Sequence, residues 1–380
     1  MSTTADNSIT ICSVGDLMIC DSPLFASVGV GSRYPLIRER MIVSCKTFFA
    51  DADLVIGNFE TVVHEPVKKS LRQMQMACPA SVVHDLKEMG FSVLNLANNH
   101  CLQHGTKGFE QTRRACEDAG IHPIGVRNEE PLIMEIRGRR LAFLSLCIHL
   151  EWYQPEDIRY EDDIARILES VRALRAEDEA LTIIVSVHWG DEYAMYPSQA
   201  QIALGHRLAD LGANVILGHH PHVFQGIETY RDALILYSQG NFISDMAAAS
   251  CRETAVTRIE IGTDGIIFRM EPVIIGDDYL PVRSDGAWYA QREKALDEAL
   301  ENKTDDDRYW RDISRNHAAG HDAFKKFFLR NLFRYRCTVS VKMICEFVVR
   351  KLKRMAGTST DGRVSSMDPA IMEVLGRYHV

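Results

Sequence analysis

Six short apolar runs in this chain each end on a residue that can bind a cation or carry a proton, usually beside a glycine. Residues 9–14 lead into Gly15 and Asp16. Residues 53–56 lead into Gly57, Asn58, Phe59 and Glu60, and 92–97 into Asn98, Asn99 and His100. Residues 181–187 reach His188, Trp189 and Gly190, 214–217 reach Gly218, His219, His220, Pro221 and His222, and 234–237 reach Gln239, Gly240 and Asn241. Runs of this length, rich in Val, Ile and Leu, are the pattern of strands buried on both faces. Open α/β sheets collect ligands at the carboxyl ends of their strands. Six such ends supplying oxygen and nitrogen donors describe a metal site on a largely parallel sheet. The strongest single signal is His220-Pro221-His222, because two neutral imidazoles held one residue apart can face a common ion.

Helical periods separate the strands. They predict helices over 81–89, 108–119, 160–176 and 199–211. In the third, Ile164, Ile167, Leu168, Val171 and Leu174 form one stripe. Strand alternating with helix predicts βαβ units. Residues 132–136 and 140–146 flank Arg137-Gly138-Arg139 and predict a β-hairpin. A second antiparallel pair, 255–261 and 266–273, turns at Thr263, Asp264 and Gly265. The sheets are therefore expected to be mixed.

At 380 residues, 46% hydrophobic and 25% charged, the chain can build one large domain with an extension, or two domains. A net charge of −9 argues against a nucleic-acid partner, which would call for a basic face. The first seven residues show no secretory pattern, and no run offers the ~18 uncharged apolar residues of a membrane-spanning helix. Ten cysteines without a Cys-x-x-Cys pair read as buried thiols, which places the protein in a reducing cytoplasm.

The charge is uneven. Three regions are expected: a catalytic domain over 8–280, a polar linker or helix over 281–323, and a basic amphipathic helical extension with a tail over 324–380. Residues 324–355 hold ten Lys and Arg against Glu346 alone, interleaved with Phe and Val. Such a segment suits either an anionic membrane surface or protein partner, or self-docking onto the acidic domain. Self-docking is the reading adopted, since so many apolar groups need a standing partner.

Taken together, Gly15-Asp16-Leu17-Met18, Asn58-Phe59-Glu60, Leu96-Ala97-Asn98-Asn99-His100, His188-Trp189-Gly190-Asp191-Glu192-Tyr193, Gly218-His219-His220-Pro221-His222-Val223 and Gly240-Asn241-Phe242 resemble the CapA family of poly-γ-glutamate capsule synthesis proteins. That family belongs to the calcineurin-like metallophosphoesterases. The resemblance covers about residues 9–245. It implies a four-layer α/β/β/α sandwich, here with a helical C-terminal extension. It further implies that Asp16, Glu60, Asn99, His188, His220 and His222 are metal ligands, with Glu60 in the place of a bridging carboxylate. His100 would hand on or stabilise a proton, with Asp16 beside it in the catalytic machinery, and His219 would point elsewhere. Mixed carboxylate, amide and imidazole donors suit one or two divalent Mn, Fe, Zn or Co ions. The first motif has Met18 where ordinary metallophosphoesterases have His, and His104 stands where the family usually has Asp.

Trp189, Glu192, Tyr193 and Asn241 are read as lining the substrate pocket. Trp189 could instead cap the sheet, Glu192 could be solvated, and Asn241 could support a metal ligand or stabilise a turn. Asn58 and Asn95 read as loop ties. Cys101 lacks a dedicated base and is not read as a nucleophile. The adopted function is a hydrolase acting through a metal-bound hydroxide on a phosphoester or a γ-glutamyl or other peptide-type bond, with a small-molecule, polymer or peptide substrate. Two alternatives keep the metals: a peptide epimerase working at Cα, and a non-catalytic subunit of a polymer synthesis or export complex.

Overall fold

Two stacked β-sheets, each covered on its outer face by helices, build the molecule. The computed structural model describes residues 8–334 except positions 23, 65–75, 149–157, 264, 302 and 304, and beyond 334 position 341 alone. In chain order the elements are β1 (Ile9–Leu17), α1 (Val30–Phe49), β2 (Leu54–Asn58), β3 (Val62–Val63), β4 (Ala77–Cys78), α2 (Ser81–Met89), β5 (Val93–Asn95), α3 (Gly105–Asp118) and β6 (His122–Ile124). There follow β7 (Leu132–Ile136), β8 (Arg139–Cys147), α4 (Ile164–Glu177), β9 (Thr182–His188), α5 (Gln199–Asp210), β10 (Val215–His219), β11 (Phe224–Tyr230), β12 (Ala233–Gln239) and β13 (Asn241–Ile243). The last are β14 (Glu253–Gly262), β15 (Gly265–Ile275), β16 (Pro281–Arg283), α6 (Tyr289–Leu300) and α7 (Asp306–Asn331).

The first sheet runs β16-β15-β14-β1-β2-β5-β6, with β13 also paired to β1. The second runs β11-β12-β10-β9-β8-β7. Both are mixed. The centres β1-β2-β5-β6 and β8-β9-β10-β12 are parallel, whereas β14, β15 and β16 and the outer strands β7 and β11 pair antiparallel. The β7–β8 hairpin and the β14–β15 pair follow the sequence expectation.

Three apolar layers fix the stacking. Ile9, Ile11, Leu54, Ile56 and Val93 of the first sheet meet Leu141, Phe143, Ile184, Val215, Leu217 and Leu236 of the second. On the outer side of the first sheet, Val82, Leu86 and Phe109 of α2 and α3 join Ile37, Met41 and Phe48 of α1. On the outer side of the second, Leu168 and Val171 of α4 and Leu204 and Leu208 of α5 cover β9 and β10. Each fully buried aliphatic or Phe side chain contributes roughly 1.5–3 kcal/mol of transfer free energy, so these layers dominate the fold. The architecture is a four-layer α/β/β/α sandwich.

Caps set several helix starts. Asp163 accepts a hydrogen bond from the Arg166 amide, so α4 begins at Ile164 rather than near 160. Ser198 and Gln201 form a reciprocal capping box on α5. The sequence reading missed α1. Its buried stripe of Tyr34, Ile37, Met41, Cys45 and Phe48 is blurred by the exposed Leu36 and Val43 and by Pro35 inside the helix.

The C-terminal part joins the sandwich. β16 extends the first sheet past residue 280, and α7 runs unbroken through 323 and 324, where the composition changes. Tyr309 and Ile313 enter the core beneath the second sheet, and Phe324, Phe327 and Phe328 pack on Phe25, Ala26 and Val28. The start of the basic segment is thus docked on the domain; the rest of it, position 341 excepted, lies outside the described residues. Among the described residues, no helix is long and apolar enough to cross a membrane. The eight described cysteines are buried and form no disulfide with one another.

Candidate metal centre

Close approach of backbones builds the site. The chain leaves the second sheet at the end of β12, turns at Gly240 and enters the first sheet as β13 beside β1. Gly240 has φ +67°, a left-handed conformation that glycine adopts without penalty. A Cβ on Gly15 would fall 2.0 Å from the Gly240 carbonyl oxygen, and one on Gly218 would fall 2.0 Å from that of Tyr237. Only glycine lets β1 approach the crossing segment, and β10 approach β12 within the second sheet, this closely. Gly15 and Gly240 therefore bring the carboxyl end of β1 against the segment that leaves the second sheet.

Asp16, Glu60, His188, His220 and His222 converge there, all buried. Their donor atoms form two groups that share Glu60: Glu60 with His188 and His220, and Asp16 with Glu60 and His222. Within each group the atoms lie within 4.8 Å of one another. Asn99 joins through its Oδ1, 3.0 Å from His188 Nε2. His222 lies 3.2 Å from Asp16 Oδ2 and 3.8 Å from Glu60 Oε1. His100 Nε2 lies 3.7 Å from Glu60 Oε1, and His100 Nδ1 is 2.7 Å from Gln103 Oε1. The His100 side chain keeps a fifth of its surface exposed, whereas Glu60 has none. His220 and His222 have φ of +98° and +58°, strain of about 1–3 kcal/mol each for residues with a Cβ. The loop thus spends folding energy on aiming two imidazoles.

The donor set fits divalent transition metals. Buried carboxylate and imidazole donors in two triads with a common carboxylate match the mixed O/N ligation of Mn, Fe, Zn or Co. Electrostatics point the same way. Burial alone would raise the Asp16 carboxyl, but hydrogen bonds from His219 and His222 outweigh it and hold Asp16 well below the usual carboxylate range. Burial lowers His222, yet Glu60 and Asp16 push it up to about 10. A site that draws a proton onto a buried imidazole has an excess of negative charge that a cation would offset.

An amide hub lies underneath. Asn58 Nδ2 donates to Asp16 Oδ1 at 2.9 Å and to Glu60 Oε2 at 3.3 Å, and lies 3.4 Å from His188 Nδ1. Its Oδ1 accepts from Asn95 at 3.1 Å and Asn98 at 3.3 Å. β2 and β5 place Asn58 directly opposite Asn95, so this contact follows from strand register. Asn58 and Asn95 do tie the loops, but Asn58 also touches both carboxylates, which the sequence reading missed. Its spacing two residues before Glu60, at a strand end, was the available signal.

Two expectations need correction, for His219 and Trp189, and for Asn241 the structure favours the supporting role over the pocket-lining one. His219 does not point elsewhere: its Nδ1 lies 3.1 Å from Asp16 Oδ1, because the β9–β10 register sets it opposite His188 at the sheet end. Trp189 does not line a pocket. It is fully buried among the α5 and β12 side chains, and its indole N–H donates to the Tyr237 carbonyl at 2.8 Å. Asn241 is also fully buried. Its Oδ1 is 2.9 Å from His222 Nδ1 and its amide donates to Cys251 O at 3.0 Å, which makes it a positioning residue for His222. Glu192 is exposed, close enough for its charge to help raise His222. Tyr193 is half-buried: its amide donates to Pro221 O at 3.0 Å, and its ring meets His317 of α7 edge-on. His104 is half-buried and stacks on His64 with ring centroids 4.6 Å apart.

Known proteins have related sequences. The chain is 30% identical over 236 residues to the capsule biosynthesis protein CapA of Bacillus anthracis, covering 57% of each chain. It is 28% identical over 253 residues to the PGA biosynthesis protein CapA of Bacillus subtilis, covering 62% of this chain and 66% of that one. A probable polyglutamine synthesis accessory protein of Mycobacterium tuberculosis is 29% identical over 172 residues, 40% of this chain and 45% of its own. The chain thus spans less than two thirds of the length of these relatives. Among solved structures, the NAD nucleotidase of Haemophilus influenzae aligns at a TM-score of 0.43 and 12% identity, over 84% of this chain and 68% of its own. A 5'-nucleotidase precursor of Thermus thermophilus aligns at 0.44 and 12%, over 78% and 59%. The model of the bacterial capsule synthesis protein family PGA_cap matches residues 10–246, a span that holds the whole donor cluster, and the chain belongs to that family.

Proposed function

We propose that this protein is a metal-dependent hydrolase that cleaves a peptide-type bond, γ-glutamyl in the first instance, or a phosphoester, in the metabolism of an anionic polymer. The observation that carries the reading is the pair of donor triads sharing Glu60 beside the partly exposed His100. Asp16, Glu60 and His222 would hold one ion, and Glu60, His188 and His220, with Asn99, the other. When bound, such ions polarise a carbonyl or phosphoryl oxygen and lower the pKa of water. Asn58 fixes both carboxylates, His219 orients Asp16, and Asn241 orients His222. Gln103 holds His100 through Nδ1, which leaves Nε2 facing Glu60 to take up or deliver a proton. Glu192 and Tyr193 flank the mouth and would meet the substrate. The name of the Mycobacterium tuberculosis relative, a probable polyglutamine synthesis accessory protein, supports a peptide polymer as the substrate class.

The test is turnover of a γ-glutamyl oligomer and of a chromogenic phosphodiester by metal-loaded protein, with and without chelator. Chelator-sensitive release of glutamate or phosphate is expected. Deuterium uptake at Cα without cleavage would replace hydrolysis by epimerisation. A loaded centre that turns over neither substrate would favour a non-catalytic assembly role.

A further inference from the structure

A second feature lies beyond the matched residues, where α7 crosses the sandwich. A cleft of about 540 Å³ opens between α7, the segment after β13 and the turn after β15. That volume falls within the range of small-ligand sites. Five cationic side chains line it: Arg33 of α1, Arg252, and Lys326, Arg330 and Arg334 of the C-terminal segment. Two carboxylates, Asp245 and Asp277, face them. Both are already engaged. Asp277 pairs with Arg252 at 2.8 Å, and Asp245 accepts from the Ser22 hydroxyl at 2.7 Å and the Ser22 amide at 3.0 Å. Arg33, Lys326 and Arg330 make no ion pair within 4 Å among the described residues, although Asp322, one turn before Lys326 and paired with Lys325, feels the Lys326 charge, and the Arg33 Nε is buried without a hydrogen bond there. This concentration of positive charge sits on a chain whose net charge is −9.

The cations are arranged as a row. Lys326 and Arg330 stand four residues apart on α7, which on a helix puts neighbours about 5–6 Å apart on one face, and Arg334 follows in the turn just past the helix end. A single phosphate would call for cations that converge. A row suits an extended ligand carrying one negative charge per unit. The cleft neighbours the donor cluster: Met246 lines it, and Asn241 Nδ2, on the residue that positions His222, lies 3.6 Å from Met246 Sδ. The stretch that follows does not complement the cleft, because residues 335–355 hold six Lys and Arg against Glu346 alone. A flat bilayer surface would not reach the half-buried Arg33.

We infer that this cleft is an anion subsite that holds the carboxylates of an extended polyanionic peptide while another part of the same chain reaches the metal centre. The inference rests on the proposed polymer reading and adds to it the residues that would grip the substrate away from the reacting bond. It assigns α7 a binding role in addition to packing.

The experiment uses the full chain with metal bound, and measures binding of a γ-linked glutamate decamer by calorimetry at low and moderate salt. Lys326→Glu with Arg330→Glu should weaken binding by at least about tenfold at low salt, with a reduced salt dependence. Metal content should stay unchanged, and the Lys326→Arg, Arg330→Lys pair should restore binding. Unchanged decamer affinity in the charge-reversed protein would overturn the proposal. So would charge-dependent binding of phosphatidylglycerol vesicles without decamer binding, or inorganic phosphate competing as strongly as the decamer. His220→Ala separates the two readings. Decamer binding that survives loss of metal would support the subsite on its own, and decamer binding that vanishes with the metal would overturn it.

Discussion

The eight-stranded sheet brings oxygens to the centre, and the six-stranded sheet brings imidazoles. Asp16, Glu60 and the amides of Asn58 and Asn99 come from the ends of β1, β2 and β5, whereas His188, His219, His220 and His222 come from the ends of β9 and β10. Two buried carboxylates on the first side show what this division does. Asp16, between His219 and His222, is held well below the usual carboxylate range. Asp245 has Ser22 but no imidazole, and burial lifts it to about 7. The same burial gives opposite outcomes because only one of the two faces the second sheet. The centre is therefore a seam in which each sheet stabilises charge that the other could not keep buried alone.

The largest effect should come from prising the seam apart. In Gly15→Ala the new Cβ would meet the Gly240 carbonyl oxygen at 2.0 Å, where the chain crosses from one sheet to the other, against backbone that cannot yield. A loss of about 4 kcal/mol or more, or failure to fold, is expected in urea titration. Gly138→Ala is the control: the hairpin turn has no atom within 4 Å of the added carbon. Its φ of +78° should cost only about 1 kcal/mol. Equal losses at the two positions would mean that the close approach is not what holds the sheets.

Removing the proposed proton carrier should leave the seam intact. His100→Ala is expected to keep its metal and thermal stability while turnover falls about 10²–10⁴-fold. Parallel loss of metal would make His100 a structural member of the cluster.

The contrast between the two carboxylates gives a pH test. Burial raises Asp245 from 3.8 to about 7, so between those values the native state holds a proton that the unfolded chain has released. Its contribution to stability is complete below about pH 4 and is lost as pH rises to 7, with a slope of about 1.4 kcal/mol per pH unit. Asp245→Asn should therefore flatten this part of the pH dependence and make the protein more stable than wild type at pH 8. Urea midpoints between pH 4 and 8 would show it. An unchanged slope in the variant would place the proton elsewhere.

Much of this seam was legible in the sequence. Strands buried on both faces advertise themselves as unbroken aliphatic runs, and their polar ends mark where the sheets stop. The convergence of Asp16, Glu60, His188, His220 and His222 follows from that pattern. What could not be read was direction. His219 turns to Asp16 because of how β9 and β10 are registered, and Trp189 turns into the core because the helix-covered face lies on its side of the strand. Asn58 looked like a loop tie because its second set of partners depends on three chain segments meeting. α1 escaped because its buried stripe is interrupted, and the cationic row on α7 gained meaning only once Arg33 and Arg252 were seen opposite it.

The central claim is that Glu60 belongs to both donor triads. The direct test is the number of transition-metal ions per chain, measured by native mass spectrometry after reconstitution, in wild type, Glu60→Gln and His220→Ala. The account predicts the most metal in wild type, partial loss in His220→Ala, and the deepest loss in Glu60→Gln, with all three chains folded. Metal content in Glu60→Gln equal to that of wild type would contradict it.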